Sequence, residues 1–210
     1  MTRILLADDH AVVRQGLKQI LKDAIPGATF GDAANGEAAL REACAGVWDV
    51  VIVDISLPGK SGLEVLKDLR RTQPRLPVLV LSMHPEEQFA VRALKAGAAG
   101  YVTKRTAARE VVAAVKKVLA GGRYVSASLA ERLAAQTQAG SVETPHETLS
   151  DREYQVFRLL AMGKAVKQIG EELDLSPQTV STHRTHILEK MGMQSNAELI
   201  QYAIENQIRE

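Results

Sequence analysis

Ile4-Leu5-Leu6-Ala7-Asp8-Asp9 opens the chain with four apolar residues that end on two adjacent carboxylates. Three later runs close in the same manner. Residues 50–53 run into Asp54, residues 78–81 into Ser82, and residues 101–103 into Lys104. Apolar runs of this length mark buried parallel strands. In an open α/β sheet the carboxyl ends of the strands line one crevice, where ligands bind. Neighbouring strands would therefore bring three carboxylates, a hydroxyl and an ammonium to one edge.

A lone Asp after a strand is ordinarily a helix N-cap or a turn residue. The joint pattern is different. Adjacent carboxylates repel, and a Lys closing the last strand has no local reason to face them. The set reads as a site for a hard divalent cation together with a phosphoryl group. Magnesium takes oxygen ligands in an octahedron, with few direct carboxylates and several waters. Asp9 and Asp54 suit direct ligation, and Asp8 a water-mediated place. A carboxylate attacks phosphorus when a metal neutralises the developing charge, and Asp54, central in the order, would become the aspartyl phosphate. Lys104 can ion-pair with a phosphoryl oxygen, and the Ser82 hydroxyl can donate to another. Pro58-Gly59 reads as a tight turn on the crevice rim.

These residues carry a resemblance. Residues 1–121 resemble the receiver domain of the two-component response regulators, a flavodoxin-like fold. Asp8-Asp9 is similar to that family's acidic pair, and Asp54-Ile-Ser-Leu-Pro-Gly59 to its phosphoacceptor loop. Ser82 resembles the switch hydroxyl and Lys104 the family's lysine. The resemblance implies that the backbone carbonyl of Ser56 is a third protein ligand to Mg2+. It also implies that Tyr101 is a switch aromatic, packing inward when the hydroxyl is drawn to the phosphate. Ala11 and Arg105 stand where the family often has Pro.

The 210 residues allow two modest domains, and 46% hydrophobic with 4% aromatic content is ordinary for a globular chain. One cysteine, Cys44, excludes an intramolecular disulfide and reads as a small core or semi-exposed helical residue. The N-terminus enters a strand directly, without the look of a signal peptide. No apolar stretch approaches the ~18 residues of a membrane span. The expectation is a soluble cytoplasmic protein. Net charge is +1, unevenly spread: residues 1–121 hold 17 Lys/Arg against 13 Asp/Glu, and residues 149–210 hold 7 against 9.

Strands are expected near 3–7, 28–33, 49–53, 77–82 and 99–102. Helices near 10–24, 36–46, 61–72, 86–96 and 106–120 separate them. This alternation predicts a five-stranded parallel sheet with helices on both faces. Val111, Val112, Val115, Val118 and Leu119 share one helix face that packs on the sheet. Residues 122–148 read as a linker with a short helix at 127–136 and a flexible polar stretch at 137–148. From residue 149 to 210 the pattern is a small all-α domain of four helices. Ser150 with Glu153 forms a capping box. Gly163 ends that helix, and a second spans 165–173. Ser176-Pro177 starts the third, which Gly192 stops after Met191. Ser195 caps the fourth, to about Asn206.

Two helices joined by a short turn form a helix-turn-helix, whose second helix can enter the major groove. Leu149-Ser-Asp-Arg-Glu153, Leu159-Leu-Ala-Met-Gly163, Ile169-Gly, Leu175-Ser-Pro-Gln-Thr-Val180, His183, Ile187-Leu-Glu-Lys190 and Gly192 resemble the LuxR-type DNA-binding domain. With the receiver, the whole chain resembles the NarL/FixJ class of response regulator. On the third helix Val180, Ile187 and Met191 are spaced to face the core. Gln178, Ser181, Thr182, Arg184 and Thr185 fall on the other face. The resemblance gives Ser181, Thr182 and Thr185 base-reading positions, and Lys167, Thr179 and Lys190 phosphate contacts, with Arg184 able to do either. Ser181 and Thr185 are hydroxyls where the family often has basic residues, and Asn196 stands for a frequent Arg. A domain charge of −2 runs against the usual electrostatics of DNA binding.

The leading expectation is a phosphorylation-controlled transcription regulator. A sensor histidine kinase would donate phosphate to Asp54, with the receiver catalysing its own phosphorylation and dephosphorylation and turning over no external substrate. The charge would shift a two-state equilibrium of the face bearing helix four, strand five and helix five, promoting a homodimer on double-stranded DNA. A rival is a haloacid dehalogenase-like phosphatase. That family's second Asp falls here at Ser56, which cannot serve as a general acid/base. A further rival is a C-terminal domain that acts through protein contacts.

Overall fold

The computed structural model describes residues 1–83, 86–131, 144–206 and 208, without the side chains of residues 87 and 88. The chain divides into two compact units, Met1–Gln138 and Ala139–Glu210, described separately.

In the first unit five strands alternate with five helices. The strands are β1 (Arg3–Ala7), β2 (Thr29–Ala33), β3 (Val50–Asp54), β4 (Val78–Ser82) and β5 (Gly100–Thr103). The helices are α1 (Ala11–Ala24), α2 (Gly36–Ala45), α3 (Gly62–Thr72), α4 (Glu86–Lys95) and α5 (Ala107–Leu119). All pairings are parallel, in the order β2-β1-β3-β4-β5. Every residue of β3 and β4 is buried, which is why those runs carry no polar alternation. Val111, Ala114, Val115 and Val118 of α5 join Leu17 and Leu21 of α1 in the core on one face, with Val112 and Leu119 at its margin.

This order turns direction between β1 and β3, the switch point where such sheets bind ligands. Register sets what meets there. Ala7 pairs with Val53, so Asp8 and Asp54 follow side by side. Asp54 pairs with Leu81, and Ser82 with Thr103, so Ser82 and Lys104 complete the row. Behind Asp54 the chain turns sharply into α3. Ser61 is fully buried and forms a capping box with Glu64, and the amide of Gly62 donates to Ile55 O at 3.0 Å. A Cβ on Gly62 would stand 2.0 Å from the carbonyl oxygen of Asp54.

The chain beyond α5 begins docked rather than loose. The Tyr124 amide donates to Ala99 O at 2.8 Å, forming an isolated parallel bridge with Gly100 beside β5. Ser126 and Ser128 both donate to Glu86 Oε2, at 2.6 and 3.2 Å. Residues 127–131 are helical. The rest of the helix expected at 127–136 lies outside the described residues.

The second unit holds a 3₁₀ turn (Pro145–Thr148), then α6 (Asp151–Ala161), α7 (Val166–Leu173), α8 (Pro177–Met191) and α9 (Asn196–Glu205). Of the stretch expected to be flexible, residues 137–143 lie outside the described residues, and over 144–148 the structure departs from that expectation. The Thr144 amide donates to Glu147 Oε2 at 3.0 Å across the 3₁₀ turn, and His146 Nδ1 lies 2.8 Å from the Tyr202 hydroxyl on α9. A polar, Pro-containing segment looks like linker until a distant partner satisfies it. Phe157, Ile169, Val180, Ile187, Leu199 and Ala203 are fully buried. Between α7 and α8 the chain turns through Asp174 in the left-handed region. Ser176 Oγ then accepts from the Thr179 amide at 3.0 Å to start α8.

Gly62→Ala should lose about 1–3 kcal/mol, the usual cost of forcing extra volume into packed structure. It should also slow labelling by a small phosphodonor, because the displaced carbonyl belongs to Asp54. Urea unfolding and phosphorylation rates of the full chain check this. An unchanged rate would mean that the turn relaxes without moving Asp54.

Candidate functional site

The strand ends converge on one ammonium. Lys104 Nζ lies 2.8 Å from Asp54 Oδ2 and 2.7 Å from Asp8 Oδ2. All three side chains are almost fully buried. The contact with Asp54 is a hydrogen bond, whereas that with Asp8 is a close charge contact outside hydrogen-bond geometry. The Lys104 amide donates to Ser82 O at 2.7 Å, tying the end of β4 to the lysine. Ser82 is fully buried and Tyr101 is 1% exposed.

Two carboxylates sharing one cation leave a surplus negative charge. Burial raises the Asp54 carboxyl above the ordinary aspartate value, against the opposing pull of Lys104. The Asp8 charge adds to the rise, and the backbone amide of Ser56 opposes it. Burial would lower the Lys104 ammonium, but Asp54 and Asp8 hold its pKa above the usual lysine value. Asp54 Oδ1 is buried with no hydrogen-bond partner. Such an atom is costly unless something fills the place beside it.

Asp9 is partly exposed and stands apart from the lysine. Its Oδ1 lies 2.7 Å from His10 Nδ1, and Asp8 Oδ1 accepts the His10 amide at 2.8 Å. Single ligand atoms of Asp8, Asp9 and His10 lie within 4.8 Å of one another. The structure thus brings Asp8, Asp54, Ser82 and Lys104 together, with Asp9 and His10 on the outer side. Sequence reasoning passed over His10. Its signal was its place directly after the acidic pair, at the N-cap of α1.

On α8, Val180, Ile187 and Met191 are buried, and Gln178, Thr179, Ser181, Thr182 and Thr185 are exposed. The hydroxyls are partly engaged. Thr182 donates to Gln178 O at 3.1 Å and Thr185 to Ser181 O at 3.2 Å, while Thr179 shares a hydrogen bond with Ser176. Arg184 Nε donates to Asn196 Oδ1 at 2.6 Å. Lys190 Nζ contacts both oxygens of Glu153, at 2.9 and 2.7 Å. Burial acts to raise the Glu153 carboxyl, but Lys190 and Ser150 hold it below the usual glutamate value. Lys167 is exposed on α7.

Residues 4–116 match the response regulator receiver domain, and residues 147–203 match the bacterial regulatory proteins of the luxR family. The chain is a response regulator of the NarL/FixJ class, with a LuxR-type DNA-binding domain. Response regulator GacA of Pseudomonas aeruginosa is 38% identical to it over 205 residues, covering 97% of this chain and 96% of GacA. Response regulator UvrY of Escherichia coli K12 is 36% identical over 205 residues, covering 97% and 94%. A structure of RcsB from Salmonella enterica serovar Typhimurium, bound to promoter rprA with the phosphomimetic BeF3-, is similar at TM-score 0.63 and 25% identity, covering 96% and 97%. In this response regulator no helix among the described residues is long and apolar enough to cross a membrane.

The buried carboxylate has a pH consequence. A carboxyl with a raised folded-state pKa keeps its proton to higher pH than the unfolded chain does. Its stability contribution therefore declines as pH rises above about 4, through the folded value. Without divalent metal, Asp54→Asn should melt above the parent near pH 8, with the advantage shrinking toward pH 4. Equal melting at both pH values would mean that Lys104 fully offsets the buried charge.

Proposed function

We propose that phosphoryl transfer from a sensor histidine kinase to Asp54 controls DNA binding by this regulator in the cytoplasm. Residues 1–121 act as the phosphoacceptor, 122–148 as the connection, and 149–210 as the DNA reader. The observation that carries the reading is the Asp54 carboxylate, with Oδ2 held by Lys104 and Oδ1 buried without a hydrogen-bond partner. Attack by one of these oxygens on phosphorus forms an acyl phosphate as the P–N bond to the kinase histidine breaks and the imidazole leaves, and it gives the ammonium a phosphoryl oxygen to hold. Ser82 donates to another oxygen, and its movement with Tyr101 shifts the face of α4, β5 and α5.

The oxygen donors here suit Mg2+, a hard cation. Asp9, Asp54 and the backbone carbonyl of Ser56 would hold it, with Asp8 reaching it through water. When bound, it supplies neutralisation of charge as the phosphoryl group transfers. Asp54 is the nucleophile, while Lys104 and Ser82 orient the phosphoryl oxygens. Incubation with acetyl phosphate and Mg2+ should add one phosphoryl mass, lost in Asp54→Asn. Unchanged labelling of that variant would refute the assignment. Asp9→Ala should weaken Mg2+ binding more than Asp8→Ala.

Double-stranded DNA is the partner of the second unit, with phosphorylation favouring a homodimer on paired half-sites. DNA complexes among structures of the similar RcsB support this reading. Ser181, Thr182 and Thr185 reach base edges, and Gln178 adds an amide. Short hydroxyls cannot make the bidentate guanine contact of Arg or Lys. Discrimination therefore rests largely on half-site pairing and DNA shape. Lys167, Thr179, Arg184 and Lys190 are the phosphate-side contacts. Two of these cations already have partners within the domain, which favours a rival role through protein contacts.

Salt dependence and substitution separate the two. Specific binding by a 144–210 fragment should be weak and fall on a shallow salt slope, because few cations meet the backbone. Thr182→Ala should cost about 1–3 kcal/mol on the preferred duplex and little on a scrambled one, whereas Lys167→Ala should weaken both alike. Titrations at one fixed salt check this. Equal effects of Thr182→Ala on both duplexes would remove α8 as the reader, and no binding to any duplex would leave the protein-contact role.

A further inference from the structure

The opposite edge of the receiver sheet, where the strands begin, holds a concavity that phosphoryl chemistry does not use. Its volume is about 660 Å3, and Asp49, Arg70, Arg75, Gly122 and Arg123 are among its lining residues. That size is ordinary for a small-molecule site. A second hollow of about 530 Å3 adjoins it, sharing Asp49, Arg75 and Pro77 and adding Trp48.

The charge there is lopsided. Among the described residues none of the three arginines forms an ion pair with a carboxylate. Arg70 is positioned by backbone: Nη1 donates to Pro74 O at 2.8 Å and Nη2 to Leu76 O. Its Nε is buried with no partner. Room for its stem depends on Gly97, where a Cβ would stand 2.8 Å from Arg70 Cδ. Burial, and then the nearby Arg123 cation, pull the Arg70 guanidinium below the ordinary arginine value. Exposed arginines singly are surface solvation. A guanidinium held by backbone, beside two more in one concavity and with no carboxylate paired to any of them, is an arrangement that an anion would complete.

The neighbouring groups narrow the anion. The Trp48 indole is half-buried and fixed, with Nε1 donating to Glu42 O at 2.8 Å. Its six-membered ring covers Gly31, where a Cβ would stand 2.2 Å from a ring carbon. An indole offers a nucleobase a stacking surface. Between indole and arginines lies Asp49, whose Oδ2 accepts the Arg3 amide at 2.7 Å. Its other oxygen suits a ribose diol, a group that carboxylates recognise. We propose that this edge of the receiver binds a nucleotide, with phosphate at Arg70, Arg75 and Arg123, ribose at Asp49 and the base against Trp48. Gly122 and Arg123 begin the connection to the second unit, so the ligand would also touch the start of that connection.

Trp48 is the one tryptophan in the chain, so its emission reports this site alone. The full-length protein is titrated with ADP in EDTA, which keeps metal-bridged phosphate from the acidic site. ADP should change the emission saturably, and adenosine should bind at least tenfold more weakly. The double variant Arg75→Ser/Arg123→Ser should bind ADP at least tenfold more weakly while accepting phosphate from acetyl phosphate at the parental rate. Pyrophosphate should displace ADP without itself changing the emission. Absence of any saturable change, or parental affinity in the double variant, would overturn the proposal. So would a pyrophosphate response equal to that of ADP, because the site would then read phosphate alone.

Discussion

One ammonium shared by two buried carboxylates holds the receiver's working edge together. The parallel register of β1 against β3 forces Asp8 and Asp54 into neighbouring positions, where like charges in a dry crevice repel. Lys104 makes the register tolerable, reaching both from the end of β5. Its own backbone is bonded to Ser82, so charge and main chain are tied at the same residue. Removing the lysine would leave buried charge without compensation, among the costliest changes available to a protein. The lone free oxygen of Asp54 is what remains after one cation has been divided between two acids.

Much of this was legible in the sequence because strand ends advertise themselves. An apolar run of four or five residues closing on Asp, Ser or Lys gives both the buried strand and the edge to which the side chain comes. The strands and helices of the first unit lie within a residue or so of their expected bounds, since each is closed by a turn, a cap or a glycine. Pairings that depend on distant partners were not legible. His146 reaches Tyr202, 56 residues later, and turns an apparent linker into structure. Lys190 reaches Glu153, 37 residues earlier. Cys44, read as core or semi-exposed, is exposed, because a helical pattern of small residues does not say which flank faces the sheet.

The same distance problem shapes α8. Spacing alone separated its buried Val180, Ile187 and Met191 from its outer face. Spacing did not tell that Thr182 and Thr185 return their hydroxyl hydrogens to their own helix, as such residues often do. Each still offers lone pairs outward, so the face presents acceptors before donors. Adenine N6 and cytosine N4 amino groups in the major groove are the donors that such acceptors meet. Arg184 is held by Asn196, an amide at the start of α9. The helix keeps its cation but shares it with a neighbour.

Tyr124, bonded to Ala99 beside β5, closes part of an outer strand. An uncovered outer strand is a template for another chain, because its amides and carbonyls remain available. A receiver fragment cut at residue 121 would lose that cover along with the serines that grip Glu86. Self-association measured on such a fragment would then include a stickiness created by the cut. Ending the fragment after residue 131 keeps the cover in place, and self-association measured on it is then free of that stickiness.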